Sequence, residues 1–211
     1  METKSKYKNM PTFIFDNGHG GIIDGVYQTK GKRSPVWPDK RILYEGEFNR
    51  AVVNRLIKKM CEKGYPHKNL VDTQVDTPLK KRTDAANILY KENKNCIYLS
   101  VHANAGGGTG YEVFTSPGQT NSDKYAEQFI EEFGKEFPEL KLRTDIKDGD
   151  HDKEERFWVL VETKMPSVLI ECAFMDTLNP DCELLMSETG RDRMANAIFK
   201  GIERVYESLN K

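Results

Sequence analysis

Two histidines close predicted strands in a similar way. His19 follows the strand segment TFIFD inside a glycine-rich turn, and His102 ends the segment CIYLSVH. Because the carboxyl ends of strands in an open α/β sheet meet at one crevice, we expect the two imidazoles to lie close together. Imidazole nitrogen binds zinc, and a catalytic zinc typically has three protein ligands and one water. The pair therefore predicts a zinc site that needs one more ligand.

A glutamate at the start of the first long helix could supply that ligand. Glu45 and Glu47 both open a helical pattern that follows a loop from the His19 strand, so this helix should begin near the carboxyl edge of that strand. The helix dipole alone also explains an acidic residue in a first turn. From the residues alone both glutamates stay candidates, and each histidine could instead be an ordinary hydrogen-bonded residue.

Glu171 interrupts the apolar run VLIECAF, which is typical of a central strand buried on both faces. A buried carboxylate costs several kcal/mol unless it is paired, bound to a metal or functional. One explanation is a buried ion pair with Arg82 or Arg156. The other is catalytic, because apolar neighbours would raise the pKa of the carboxyl so that it can take a proton from water and pass it to a leaving amine.

Three further residues have two interpretations or none. Asp16 ends its strand, where it could orient a zinc histidine or simply form the glycine turn. His151 lies in the charged segment DGDHDKE and could contact a substrate, although a solvated loop histidine is the simpler explanation. His67 is assigned no role. Together with zinc, which activates water and polarises carbonyls, the candidate residues predict a metallohydrolase.

The elements that must position these residues alternate between strand and helix patterns, which predicts an α/β fold. Strands are predicted at residues 12–16, 70–74, 96–102, 111–115 and 168–174, helices at 45–63, 78–92, 122–137 and 191–209, and long loops at 22–44 and 141–156. Such loops are more often functional than idle, and the second could cover a site. We expect one domain over residues 1–211, with 1–10 as a flexible N-terminal segment.

The composition restricts the partners. Thirty-two basic and 33 acidic residues leave a formal charge of -1, which does not favour nucleic acid or an anionic membrane, although the basic cluster at 30–41 could touch anionic polymers. Four cysteines without a CxxC pair are predicted to be reduced packing residues. No segment is long enough to span a bilayer, and the polar start lacks a signal-peptide pattern. We therefore expect a cytoplasmic chain, or a secreted or periplasmic one if a leader has been removed.

Five motifs follow one another along nearly the whole chain: DNGHGG at 16–21, EGEFN at 45–49, LKKRTDAAN at 79–87, SVHANA at 100–105 and PSVLIECAF at 166–174. In this order they resemble the zinc-dependent N-acetylmuramoyl-L-alanine amidases of the amidase-3 family, found in bacterial cell-wall hydrolases and phage endolysins. The first and fourth motifs are similar to those that carry the zinc histidines of the family. The last is similar to the one that carries its catalytic glutamate.

The resemblance implies a single α/β domain with a mixed, largely parallel twisted sheet flanked by helices and zinc at the carboxyl edges of the strands. It selects Glu45 over Glu47, because the second motif resembles a helix-opening glutamate followed four residues later by asparagine. The implied zinc ligands are thus His19, Glu45 and His102. Glu171 becomes the base and then the acid of the reaction.

The implied reaction is hydrolysis of the amide between N-acetylmuramic acid and L-alanine of peptidoglycan. Asp16, Arg82 and Asn104 are expected to support the ligands or to contact the substrate. Departures from the family pattern, at Asn17 and at 172–173, concern substrate preference more than activity.

Two other functions remain open at this stage. One is a zinc peptidase that cuts within the stem peptide, and the other is a catalytically idle wall-binding or regulatory module. A monomer is expected. A phage lysin that waits in the cytoplasm for release is favoured over a bacterial autolysin.

Overall fold

The computed structural model describes residues 10–147 and 149–209, so the predicted flexible segment lies outside the described residues except for Met10. The strands are β1 (Thr12–Asp16), β2 (Ile22–Ile23), β3 (Val26–Tyr27), β4 (His67–Asn69), β5 (Cys96–Asn104), β6 (Glu112–Thr115), β7 (Lys153–Glu154) and β8 (Ser167–Phe174). The helices are α1 (Glu45–Lys63), α2 (Leu79–Glu92), α3 (Asn121–Glu136), α4 (Trp158–Val161), α5 (Glu183–Met186) and α6 (Glu188–Ser208). An irregular helical turn, Leu178–Cys182, precedes α5.

Six of the strands form one sheet in the order β4-β1-β5-β8-β6-β7. All neighbouring pairs are parallel except β6 and β8, which run antiparallel. The short strands β2 and β3 form a separate antiparallel hairpin. The predicted α/β domain with a mixed, largely parallel sheet is therefore confirmed.

The two faces of the sheet are covered unequally. Helices α1, α3 and α6 pack on one face around a large core that includes Phe13 and Leu99. The alternate residues, such as Ile14 and Tyr98, point to the other face, where only a smaller apolar cluster forms with α2 and α4. Polar residues further along these strands that share the face of Ile14 and Tyr98 thus lie on the more thinly covered side of the sheet, where a pocket can open.

The second strand was predicted at 70–74, and that position is wrong. The strand is His67–Asn69, in parallel register with β1. It ends there because the Asn69 side chain accepts a hydrogen bond from the Val71 backbone N–H at 3.2 Å, a local turn that competes with the ladder. The Asn17 side chain then donates to the Val71 carbonyl at 3.1 Å, which fixes the chain as it leaves the sheet.

The predicted loops contain short elements that periodicity does not reveal. The β2–β3 hairpin lies in the first loop, and β7 lies in the second, where it extends the sheet beside β6. The last helix begins at Glu188 rather than at 191, because the Ser187 hydroxyl caps it by accepting from the Gly190 N–H at 3.0 Å. All four cysteines are free, and Cys61 alone of them is exposed. Within the described ranges, no helix combines the length and apolarity that crossing a bilayer requires.

Candidate metal centre and active site

His19, Glu45 and His102 meet at the carboxyl edge of the sheet. One oxygen of Glu45, Oε1, lies 2.8 Å from His102 Nδ1 and 3.2 Å from His19 Nε2. The two imidazole rings stand nearly perpendicular, with centroids 5.1 Å apart. The ligand atoms of all three side chains lie within 4.8 Å of one another, so the group could hold one metal ion.

Two glycines allow this close approach. Gly18 has a left-handed backbone, with φ of 41°, and a Cβ there would lie 2.2 Å from His102 Cε1. Gly46 follows the glutamate at the start of α1, where a Cβ would lie 2.0 Å from the Gly20 carbonyl oxygen. Only glycine lets the turn and the helix start pack this tightly, and the packing sets the positions of His19 and Glu45.

The donor set fits a catalytic zinc ion. Two imidazole nitrogens and one carboxylate are a known ligand set of such ions, with a further position left for water. Burial raises the pKa of Glu45, but hydrogen bonds and charges of His102 and His19 outweigh it and hold the pKa below its ordinary value. The second oxygen, Oε2, is buried and has no hydrogen-bond partner among the described residues. A carboxylate that stays ionised with a free buried oxygen suits a cation.

Glu47, the other glutamate left open by the helix pattern, lies elsewhere. Its carboxylate accepts two hydrogen bonds from Arg191 on α6, at 2.8 and 2.9 Å. It does not line the pocket that contains the histidines. The structure therefore separates the two glutamates by their partners.

Glu171 sits directly beside this group. In the sheet it pairs with His102 of β5 on one side and with Glu112 of β6 on the other, so the three side chains point to the same face. Burial raises its pKa well above the ordinary value, and the charges of Glu45 and Glu112 raise it further. Its Oε2 is buried with no hydrogen-bond partner among the described residues. Glu171 is thus suited to bind a proton more tightly than an ordinary glutamate does.

The suggested ion pair of Glu171 with an arginine is not formed. Arg82 instead donates to Asp16 Oδ2 at 2.5 Å, where both side chains are buried. Arg156 lines a separate groove beside the start of α3. The raised pKa of Glu171 is therefore not offset by a buried partner cation.

Asp16 anchors the turn rather than a histidine ring. Its carboxylate accepts hydrogen bonds from the Tyr98 hydroxyl at 2.5 Å, from Ser100 Oγ at 3.2 Å and from the Gly18 backbone N–H at 3.1 Å. Burial raises the pKa of Asp16, but the adjacent Arg82 guanidinium and these bonds lower it overall. Asp16 therefore acts on His19 through the backbone of the turn, as a turn-forming aspartate does.

A cavity of about 300 Å³ opens over these residues. Arg82 and Asn104 line it, together with Lys32 and an apolar wall. The wall consists of Leu79, Phe157 and Trp158, whose exposed fractions are 46%, 37% and 45%. Neither α4 nor this wall was predicted, because a four-residue helix is too short to show a periodic pattern.

Glu112 is a site residue that the sequence analysis missed. It is buried and accepts hydrogen bonds from Asn104 Nδ2, from Arg143 Nε at 2.8 Å and from Lys153 Nζ at 2.8 Å. An acidic residue inside the strand segment YEVFT gives the same signal that singled out Glu171. The two basic residues come from the loop that was expected to be able to cover a site, and they contact Glu112 rather than His19, Glu45 or His102.

The remaining histidines lie outside the pocket. His151 is exposed and its Nδ1 lies 3.1 Å from both carboxylate oxygens of Glu127 on α3, in agreement with a solvated loop residue. His67 lies on β4, with Nδ1 2.9 Å from the Tyr65 carbonyl oxygen and Nε2 3.7 Å from the Cys61 sulfur. Neither belongs to the candidate site.

The chain is similar in sequence to known proteins. The sequence model of a family described as N-acetylmuramoyl-L-alanine amidase matches residues 14–204. The N-acetylmuramoyl-L-alanine amidase CwlM of Bacillus licheniformis is 36% identical over 198 residues, which cover 93% of this chain and 69% of that protein. An uncharacterized cell wall amidase of Bacillus anthracis is 32% identical over 200 residues, which cover 93% of this chain but 35% of that protein. This chain thus spans about a third of the length of the second relative.

A solved structure has the same fold. The N-acetylmuramoyl-L-alanine amidase from Clostridium difficile 630 superposes with a TM-score of 0.74, covering 95% of this chain and 98% of that chain. The two sequences are 24% identical, so the likeness supports the architecture of the sheet and helices. It agrees with the α/β fold predicted from the alternating pattern.

Proposed function

The chain belongs to the N-acetylmuramoyl-L-alanine amidase family, and from this premise we propose that it is a zinc-dependent enzyme that cuts peptidoglycan between N-acetylmuramic acid and L-alanine. His19, Glu45 and His102 hold the zinc ion. Glu171 moves the protons. The observation that carries the proposal is the meeting of these three ligand side chains beside the partly buried carboxyl group of Glu171, whose pKa is raised.

Each ligand residue has a distinct part. A zinc ion bound there would lower the pKa of water to about 7 and polarise the scissile carbonyl. Glu45 would supply the negative charge of the ligand set, and its carboxylate already lies in contact with both imidazoles. Asp16 holds the turn that carries His19 through the Gly18 N–H, so the histidine is in place before an ion arrives.

Glu171 is the proton carrier. Amide hydrolysis requires a proton to leave the attacking water and another to reach the leaving amine. The raised pKa of Glu171 makes its carboxylate a stronger base than that of an ordinary glutamate, which favours taking the first proton before it delivers the second. Its position next to His102 in the sheet puts it at the metal site.

The apolar wall of Leu79, Phe157 and Trp158 is suited to binding the substrate rather than to catalysing the reaction. Exposed aromatic side chains beside a polar centre are typical of binding surfaces, since they bury much area at little entropic cost. We assign this wall to binding the sugar ring or the stem peptide next to the scissile amide. Lys32, on the opposite loop, adds a positive charge to the pocket.

Two glutamate substitutions in α1 test the metal assignment with a matched control. Glu45→Gln should lose stoichiometric zinc and wall hydrolysis. Glu47→Gln, two residues further along α1 and hydrogen-bonded to Arg191, should keep both. Elemental analysis of the purified proteins and turbidity of cell-wall suspensions are the measurements. Equal zinc in the Glu45→Gln protein and the wild type would exclude Glu45 as a ligand.

The catalytic assignment has its own variant. Glu171→Gln should keep zinc but lose hydrolysis by at least 100-fold, which is the usual contribution of a general acid or base. A Glu171→Gln protein with near wild-type activity would refute the proposed role, even if the zinc assignment held.

A further inference from the structure

A second group of carboxylates lies at the far edge of the sheet, outside the pocket. Residues 149–152 lead into β7 and bring Asp150 and Asp152 together with Asp123 of α3. The segment is fixed on one side by Thr115 of β6, whose hydroxyl donates to Asp152 Oδ2 at 2.6 Å. On the other side the His151 backbone N–H donates to Glu127 on α3 at 2.7 Å.

Two oxygens of this group lack a partner. Asp152 is 1% exposed, and its Oδ1 is buried with no hydrogen-bond partner in the described part of the chain. The same holds for Asp150 Oδ1, while the other Asp150 oxygen accepts from Gln119 Nε2 at 3.3 Å. The carboxyl groups of Asp150 and Asp152 lie within hydrogen-bonding reach of each other. When both are ionised, neither has a proton to donate to the other.

No cation of the described residues offsets this pair. None of their lysine, arginine or histidine side chains forms an ion pair with Asp150 or Asp152, and the Asp123 carboxylate is engaged in capping α3 through the Thr120 N–H. Burial raises the pKa of Asp152 to about 7, and the charges of Asp150 and Asp123 add to this rise. Two like charges this close and this buried must share either a proton or a cation.

We propose that Asp150 Oδ1 and Asp152 Oδ1 bind a hard divalent cation of the calcium class. The donor atoms of the pair are all oxygens, which calcium prefers. The candidate zinc centre differs, because two of its three donors are imidazole nitrogens. Only two carboxylate oxygens of the chain contribute, which is few for an ion that takes about six to eight oxygen ligands. The affinity should therefore fall in the weak range of extracellular calcium modules, on the order of 0.1–1 mM.

The position of this site gives the ion a structural effect near the active site. Lys153 directly follows Asp152, and its Nζ contacts Glu112, the carboxylate opposite Glu171. Neutralising the aspartate pair would fix residues 149–154 against β6 and thereby hold Lys153 on Glu112. Calcium thus binds outside the pocket but orders the segment whose Lys153 contacts Glu112, the strand neighbour of Glu171.

Thermal unfolding of the zinc-loaded protein at pH 8 tests the site, because zinc then fills the other centre and Asp152 is largely ionised. Calcium at 10 mM should raise the melting temperature by about 3–5 °C relative to potassium chloride of equal ionic strength. Hydrogen exchange should slow in the peptide that covers residues 149–154.

Isosteric variants test whether the rise in melting temperature with calcium comes from this aspartate pair. Asp150→Asn and Asp152→Asn should each fold, because an amide can donate to the facing carboxylate, and each should abolish the calcium shift. Asp145→Asn, in the same loop but paired with Lys147, should keep it. A wild-type shift no larger than that of potassium chloride, or a full shift in both isosteric variants, would overturn the proposal. The first outcome would leave a shared proton as the reason for the pair.

Discussion

Glu171 combines the chemical role proposed for it with a cost in stability. Its carboxyl group is partly buried next to Glu45 and Glu112, and no described arginine or lysine forms an ion pair with it. A carboxyl whose pKa is raised by folding holds its proton more tightly in the native state than in the unfolded chain. The same burial that prepares it for proton transfer therefore destabilises the fold once the group ionises.

This cost predicts how Glu171→Gln changes stability with pH. Below the pKa of an unfolded glutamate, about 4.3, both proteins should be similarly stable, because the wild-type carboxyl is protonated in both states. As pH rises from there through the raised native pKa, the wild type should lose stability relative to the variant. Urea unfolding of both proteins from pH 4 to 8 measures the difference, and a gap that does not widen with pH contradicts the raised pKa.

The buried pair of Asp16 and Arg82 should stabilise the fold, whereas an ionised Glu171 destabilises it. Arg82→Met leaves the Asp16 carboxylate without its cation and should cost about 3–5 kcal/mol of unfolding free energy. Lys81→Met, an exposed neighbour on α2, should change it by less than about 0.5 kcal/mol. Urea titration of the two variants compares them, and equal small effects would mean that the pair does not hold the turn of His19.

At the scale of elements, long periodic or apolar segments were predictable and short ones were not. The strands that carry Asp16, His102 and Glu171 show runs of buried residues, because each crosses the middle of the sheet. Strand β4 was misplaced, since its own residues His67–Asn69 are polar and the apolar Leu70 and Val71 follow the turn. Elements of two to four residues, such as β7 and α4, are fixed by tertiary contacts and leave no period in the sequence.

Helix α4 leads to a prediction about binding. Trp158→Ala should raise KM for peptidoglycan fragments roughly 5–10-fold with little change in kcat, because the indole lines the pocket and is one of the aromatic anchors expected at a binding surface. Ile88→Ala on α2, which removes another exposed apolar side chain away from the pocket, is the matched control. Steady-state kinetics on a soluble fragment separates the two constants. A fall in kcat alone would argue against a binding role.

For the molecule as a whole, the unequal covering of the sheet explains where the site lies. Three helices close one face, while α2 and α4 leave room on the other for polar side chains at the strand ends. The residues alone predicted that two histidines would meet at this edge. They could not distinguish Glu45 from Glu47, because both stand in the first turn of one helix. Only their tertiary contacts separate them, those of Glu45 with the two histidines and those of Glu47 with Arg191.

Some properties of the whole protein stay predictions. The expected monomer and the cytoplasmic location before release concern assembly and transport, which the fold of one chain does not determine. Activity within a longer protein is likewise a proposal, because the chain spans 35% of the Bacillus anthracis relative.

Mass spectrometry of digested peptidoglycan tests the central claim most directly. The zinc-loaded protein should release stem peptides that begin with a free L-alanine amino group and glycan strands with free lactyl carboxyl groups. The chelated protein should release neither until zinc is restored. New termini inside the stem peptide, with the muramic acid amide intact, would contradict the account and identify a peptidase instead.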